Sequence, residues 1–139
     1  MRRALLLALA LGGCGGATAT VSEMQMGIDA ASGLLASQVG SVAVLVLSGD
    51  KADCARALKP RHPLDDPSFI VLAHALFTVD GSSKRLPGIP AGEKLVFYVD
   101  AFDSPDGSRP RVGRGCVETT LTAGQSAGIS IVLTAADDN

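Results

Sequence analysis

The chain has 139 residues, of which 14 are acidic and 12 are basic, so its formal net charge is −2. A length of this order suits one domain with a substantial core and excludes two domains. This charge balance, without a long run of lysine or arginine, argues against a nucleic-acid-binding surface. Because there is no tryptophan and there are only four phenylalanines, we expect a largely aliphatic core.

The chain begins with a short segment that is first positively charged and then apolar. Arg2 and Arg3 precede an uninterrupted apolar run of eight residues from Ala4 to Leu11. A helix of that length extends about 12 Å, whereas the hydrocarbon core of a bilayer is about 30 Å thick. The run is therefore too short to span a membrane and is typical of a secretory signal. We expect the protein to be exported.

The end of this leader carries a family resemblance. The residues Leu11-Gly12-Gly13-Cys14 resemble the lipobox of bacterial lipoproteins. The resemblance implies that residues 1–13 are a signal peptide, that cleavage occurs before Cys14, and that the thiol of Cys14 carries a diacylglycerol group. More than one acyl chain on this cysteine would give stable membrane anchoring. Gly15 follows in place of an aspartate, which by resemblance implies the outer membrane. The alternative is an ordinary secretory signal that contains a cysteine.

The other two cysteines, Cys54 and Cys116, form an even pair in a chain that we expect to be exported. Such a pair predicts a disulfide, because exported proteins fold in an oxidising compartment. Two free thiols or a metal-binding pair are the alternatives. No spacing between histidine and cysteine supports the metal.

The segment 14–40 is predicted to contain a tether and a helix. Gly15 to Thr20 are small residues without periodicity, which is typical of a flexible spacer. Beyond Ser22 the apolar residues recur at helical spacing, which predicts a short helix that ends near Gly40. The apolar positions are Met24, Ile28, Ala31 and Leu35. Whether this helix is docked on the domain or forms a loose stalk stays open.

The segment 41–136 reads as a small antiparallel β-sandwich, so the fold class is mainly β. Apolar runs and alternating patterns, bounded by glycine and proline, predict five strands. These are Ser41 to Ser48, Ser68 to Asp80, Glu93 to Phe102, Val112 to Leu121 and Gly128 to Ala135. A turn or one short helical segment carries Cys54, and residues 81–84 form a turn. Residues 137–139 are an acidic tail.

Part of this segment carries a second resemblance. Ile89-Pro90-Ala91-Gly92 precedes a strand that ends in Val99-Asp100-Ala101-Phe102-Asp103, and Ala123-Gly124 precedes the last strand. These residues resemble the transthyretin-like or carboxypeptidase-regulatory-like domains of secreted bacterial proteins, which are sandwiches of Ig-like shape. The resemblance implies a fold and an accessory, adhesive or scaffolding role. It implies no catalytic activity.

The residues needed for catalysis are scarce. Nucleophilic catalysis needs a base beside the nucleophile, and the histidines are His62 and His74. His62 lies in a proline-rich loop and is expected to be solvated, whereas His74 lies within a strand on a face that the pattern does not settle. No serine has the flanking glycines of a G-x-S-x-G motif. We expect no enzymatic activity; a hydrolase would require an acid or His74 in a pocket.

Three aspartates, Asp100, Asp103 and Asp106, lie at three-residue spacing through a turn. A flexible loop of this kind can offer the several oxygens that calcium requires. The spacing departs from the calcium loop of EF-hands, and Arg109 and Arg111 would oppose a cation. We therefore expect turn-forming aspartates paired with these arginines and no bound metal, with calcium as the alternative.

Taken together, the residues predict a non-enzymatic, membrane-anchored lipoprotein of the cell envelope, on its periplasmic or surface face. It would act as an interaction or accessory module without a cofactor other than the lipid on Cys14. The expected partners are the membrane, through the anchor, and an envelope protein or polysaccharide; nucleic acid is not expected. The alternative is a small carbohydrate- or calcium-binding β-sandwich.

Overall fold

A computed structural model describes residues 17–79, 85–108 and 110–136. The leader with Cys14, the turn at 81–84, Arg109 and the acidic tail at 137–139 lie outside the described residues. The strands are β1 (Thr18–Ile28), β2 (Ser41–Ser48), β3 (Val71–Thr78), β4 (Leu86–Pro90), β5 (Lys94–Phe102), β6 (Arg111–Thr120) and β7 (Ser126–Ala135). One short helix, α1 (Cys54–Ala57), and three 3-10 turns (Ala30–Ser32, Ala36–Gln38, Pro63–Asp65) connect them. Within these ranges no helix is long and apolar enough to cross a membrane.

The strands form one sheet in the order β3-β2-β5-β6-β7-β1-β4, which is nearly closed into a barrel-like sandwich. Neighbouring strands are antiparallel except β1 and β7, which are parallel, so the sheet is mixed. The register places Thr18, Lys94 and Ser126 at one end of the barrel, which we call the entry end. Ile28 and Phe102 lie at the opposite end.

The mainly β fold and the five predicted strands are confirmed with small changes in length. β2 has the predicted bounds, since its β-branched apolar run is buried on both faces. Two strands are not predicted, and one of them is β4, which contains Pro87 and Pro90 and reads as a loop in sequence. Proline cannot donate to a strand ladder, and β4 tolerates it because it lies at the edge of the sheet order.

The helix predicted beyond Ser22 is wrong, because Thr18–Ile28 is strand β1, paired with β4 and β7. Met24, Met26 and Ile28 pack against the inner core at a spacing of two. Met24 and Ile28 also satisfy the helical spacing, so the pattern was compatible with both structures. Only pairing with distant strands decides between them. The sheet therefore begins at Thr18, well before Ser41, and the last residues of the predicted spacer, Thr18 to Thr20, belong to β1.

Apolar side chains form two clusters, one on each face of the central strands. The inner cluster fills the barrel and includes Val44, Phe97 and Ile131. Leu34, 3% exposed, belongs to the same cluster and lies in the segment that follows β1. The outer cluster lies between the outer face of β2 and β5 and the connection that follows β2. Its buried members are Leu45, Leu47, Ala52, Ala57, Phe69, Val96 and Tyr98.

The predicted disulfide is confirmed beside the outer cluster. Cys54 at the start of α1 is bonded to Cys116 on β6, with the two Cα atoms 5.6 Å apart. Asp53 caps α1 by accepting a hydrogen bond from the Arg56 amide at 2.7 Å. The disulfide therefore ties the connection between β2 and β3 to β6, two strands away from β2 on the same outer face of the sheet.

Two strand glycines provide a matched test of the inner packing. A Cβ at Gly115 would lie 2.5 Å from the Val132 carbonyl oxygen and 2.7 Å from Ile131, whereas a Cβ at Gly128 would contact nothing within 4 Å. We expect Gly115→Ala to lower the free energy of unfolding by about 1–3 kcal/mol through overpacking. Gly128→Ala should be neutral or slightly stabilising, because alanine restricts the unfolded chain. Urea denaturation of both variants checks this; equal effects would contradict the packing described.

Candidate functional site

A polar network lies on the outer face of β5, beyond the outer apolar cluster. Tyr98 and Asp100 are two residues apart, so their side chains share one face of the strand. The Tyr98 hydroxyl donates to Oδ1 of Asp100 at 2.8 Å, and both side chains are buried. A buried carboxylate requires such partners, because an unpaired charge away from water is costly.

His62 completes this network from the loop between α1 and β3. The Leu64 amide donates to Nδ1 of His62 at 3.1 Å, so the neutral ring carries its proton on Nε2. Nε2 lies 2.6 Å from Oδ2 of Asp100 and donates to it. The ring also stands edge-on to Tyr98, with centroids 5.4 Å apart. The prediction that His62 is solvated is wrong, since its side chain is only 23% exposed.

The ionisation of this network is set by burial and by its partners. Burial alone raises the pKa of Asp100, but the hydrogen bonds from His62 and Tyr98 and the charge of Arg111 outweigh it and lower that pKa. Arg111 Nη1 lies 3.4 Å from Oδ1 of Asp100. Burial and the nearby Asp100 charge raise the pKa of Tyr98, which keeps its hydroxyl protonated as a donor. Asp100 is therefore an anion held by three partners.

The three aspartates singled out in sequence have separate environments. Asp103 and Asp106 are exposed in the turn, whereas Asp100 is buried. The Asp106 carboxylate accepts from the Ser108 amide at 3.0 Å, and hydrogen bonds from Ser108 lower its pKa. Across the described residues, no group of three or more His, Cys, Asp or Glu side chains is placed to hold a metal. The expected pairing with arginine is found for Asp100 with Arg111, while Arg109 lies outside the described residues.

A groove opens above this network, between β3, the His62 loop and the β5–β6 turn. Its volume is about 310 Å³. It is lined by Ala43, Leu45, His62, Leu64, His74, Leu76, Asp100, Phe102 and Gly107. The sequence did not settle which face of its strand His74 occupies. In the structure His74 is exposed on the outer face of β3, where it lines the groove. Leu64 and Leu76, 53% and 49% exposed, form an aliphatic rim.

The groove combines an apolar wall with polar groups that mostly bind one another, and it also contains His74, which a hydrolase would require in a pocket. In the neutral form, both ring nitrogens of His62 are engaged, one as acceptor and one as donor, so neither is free to take a proton from a substrate. The described residues that line the groove include no serine, threonine or cysteine. An apolar wall with a few fixed polar groups is typical of a ligand-binding cleft.

No family model matches the chain, and no curated protein or solved structure is significantly similar to it. The lipobox and transthyretin-like resemblances therefore stay predictions.

Proposed function

We propose that the protein is an exported, non-enzymatic lipoprotein, anchored through Cys14 to the outer membrane, that binds a partner protein in the groove beside His62. The observation that supports a binding role is the composition of the groove. Its exposed aliphatic rim lies above a polar floor, formed by His62 and Asp100, whose side chains already bind each other and Tyr98. Such a floor gives a rigid surface and leaves the rim to make the contacts.

Export and anchoring rest on the leader and are supported by the disulfide. A structural bridge between Cys54 and Cys116 requires an oxidising compartment, as exported proteins meet. The position of the groove also suits an anchored protein. Leu76, Phe102 and Gly107 lie toward the end of the barrel opposite Thr18, so this part of the groove is at the end farther from the anchored start of the mature chain.

The lining favours an apolar segment of a protein as the occupant. A polysaccharide would bring many hydroxyl groups, and hydroxyls that are buried without hydrogen-bonding partners are costly. The rim offers aliphatic carbon from Leu64 and Leu76, while the Asp100 carboxylate is taken by Tyr98, His62 and Arg111. Calcium is disfavoured for the same reason, because that carboxylate is already bound.

A photo-crosslinking amino acid at Leu76 tests the groove in the cell of origin. We expect one discrete adduct from this position, and we expect the added substitution Leu64→Ser to weaken it strongly. Because Leu64 is exposed, that substitution should change the stability by less than about 0.5 kcal/mol.

The control places the same crosslinker at Val132, which is 58% exposed on β7, away from the groove. It should give no adduct of that size. Equal adducts from both positions, or an adduct from Leu76 that Leu64→Ser leaves unchanged, would contradict a partner-binding groove.

A further inference from the structure

We infer that the entry end of the barrel rests on the bilayer and that the aliphatic residues Ile70, Val71 and Leu72 contact the lipid there. This inference rests on the proposed lipid anchor at Cys14. It adds a second interaction surface, for the membrane itself, distinct from the groove.

Only a short length of chain separates the proposed anchor at Cys14 from the folded domain. The Ala17 carbonyl accepts from the Ala91 amide at 3.0 Å, and the Thr18 carbonyl accepts from the Gly124 amide at 2.9 Å. The chain is thus held by the domain from Ala17 onward. Three peptide units join the Cα atoms of Cys14 and Ala17, and they can span at most about 11 Å. A lipid on Cys14 would therefore keep the entry end within about 11 Å of the lipid headgroups.

An exposed aliphatic patch lies at this same end of the barrel. Ile70, Val71 and Leu72 are 51%, 40% and 36% exposed. The Ser48 amide donates to the Ile70 carbonyl at 3.0 Å, and Leu47 pairs with both Val71 and Val96. Because Val96 is two residues from Lys94, this register places the patch at the entry end. Three consecutive exposed aliphatic residues are uncommon in a surface that meets only water.

The charges at the entry end favour an apolar contact over electrostatic attraction. The β6–β7 turn, residues 122–125, has no charged side chain. Lys94 is paired with Glu118 at 2.9 Å, and Glu93 lies beside it.

Asp50 and Lys51, which follow β2 at this end, offset each other. Arg56 and Asp66 do the same, since both bind the Ser68 hydroxyl. The entry end therefore offers no excess of positive charge to anionic lipid. Contact with the bilayer should depend on the aliphatic patch and be insensitive to the charge of the headgroups.

Since the chain contains no tryptophan, one introduced tryptophan gives an unambiguous reporter. Ile70→Trp reports on the entry end. Leu35→Trp is the matched control, because Leu35 is 60% exposed at the opposite end of the barrel. The full acylated protein is reconstituted into phosphatidylcholine vesicles with brominated acyl chains, with and without anionic lipid. We expect several-fold stronger quenching for Ile70→Trp than for Leu35→Trp, unchanged by anionic lipid.

Leu72→Trp serves as a second reporter if Ile70→Trp does not fold, as judged by circular dichroism. The intact mass of each preparation is measured first, and it separates the two proposals. An unacylated Cys14 in a lipidating host would overturn the anchor and this inference together. An acylated protein in which the entry-end and control tryptophans are quenched equally would overturn the bilayer contact alone.

Discussion

Replacing both Cys54 and Cys116 by alanine is expected to lower the free energy of unfolding by about 4 kcal/mol, because the disulfide closes a loop with a sequence separation of 62 residues. The unfolded chain regains the freedom that the bridge removes. The loss should concentrate in the connection that follows β2, since α1 and the outer cluster are held against β6 by this bond. Guanidinium denaturation measures the total effect, and hydrogen exchange measures its location.

Reduction of the unmodified protein is the control for the disulfide, because it breaks the bond while retaining both sulfur atoms. It should reproduce most of the loss seen in the double variant. A double variant as stable as the parent protein would show that Cys54 and Cys116 are not bonded in the folded protein.

Asp100→Asn is expected to lower the free energy of unfolding by about 2–4 kcal/mol at neutral pH. The substitution keeps the size of the side chain but removes the charge that Arg111 faces and turns one acceptor into a donor aimed at His62 or Tyr98. Tyr98 and Asp100 are both buried, so water replaces the lost partners poorly. Asp106→Asn is the matched control, since the same change in an exposed turn should leave the stability nearly unchanged.

The effect of Asp100→Asn should depend on pH with a definite sign. The folded pKa of Asp100 is lowered below the unfolded value of about 3.9, so the carboxylate contributes stability above that pH. That contribution is lost as the pH falls through the folded pKa. The difference between the parent protein and Asp100→Asn should therefore shrink below about pH 4. A difference that stays constant down to acidic pH would contradict a stabilising Asp100 anion.

Much of the sheet could be predicted because its strands carry local signals. β2 is an unbroken β-branched run between two glycines, and it is buried on both faces as such a run predicts. The disulfide followed from the number of cysteines beyond an export signal. Strands β1 and β4 could not be predicted, for two physical reasons. In β1, Met24 and Ile28 fit both the helical and the strand period. In β4, the prolines are tolerated only because this strand lies at the edge of the sheet order.

The candidate site was less accessible to sequence reasoning. The sequence points to Asp100 as a turn-forming aspartate paired with an arginine, with calcium as the alternative, whereas it is the centre of a buried network. One signal was present: an aspartate inside the apolar strand Lys94–Phe102 must find partners, and Tyr98 two residues earlier shares its face. The role of His62 could not be predicted from the sequence, because its contact with Asp100 joins residues 38 positions apart.

The proposed lipid anchor is checked most directly by the intact mass of the mature protein, extracted from the membranes of a host that lipidates exported proteins. We expect a chain that begins at Cys14, carries diacylglycerol on that residue, and is lighter by the two hydrogens lost in the Cys54–Cys116 bond. Cys14→Ser should abolish the lipid and release the protein from the membrane. A mature chain with an unmodified Cys14, or one cleaved at another position, would contradict the proposed lipid anchor.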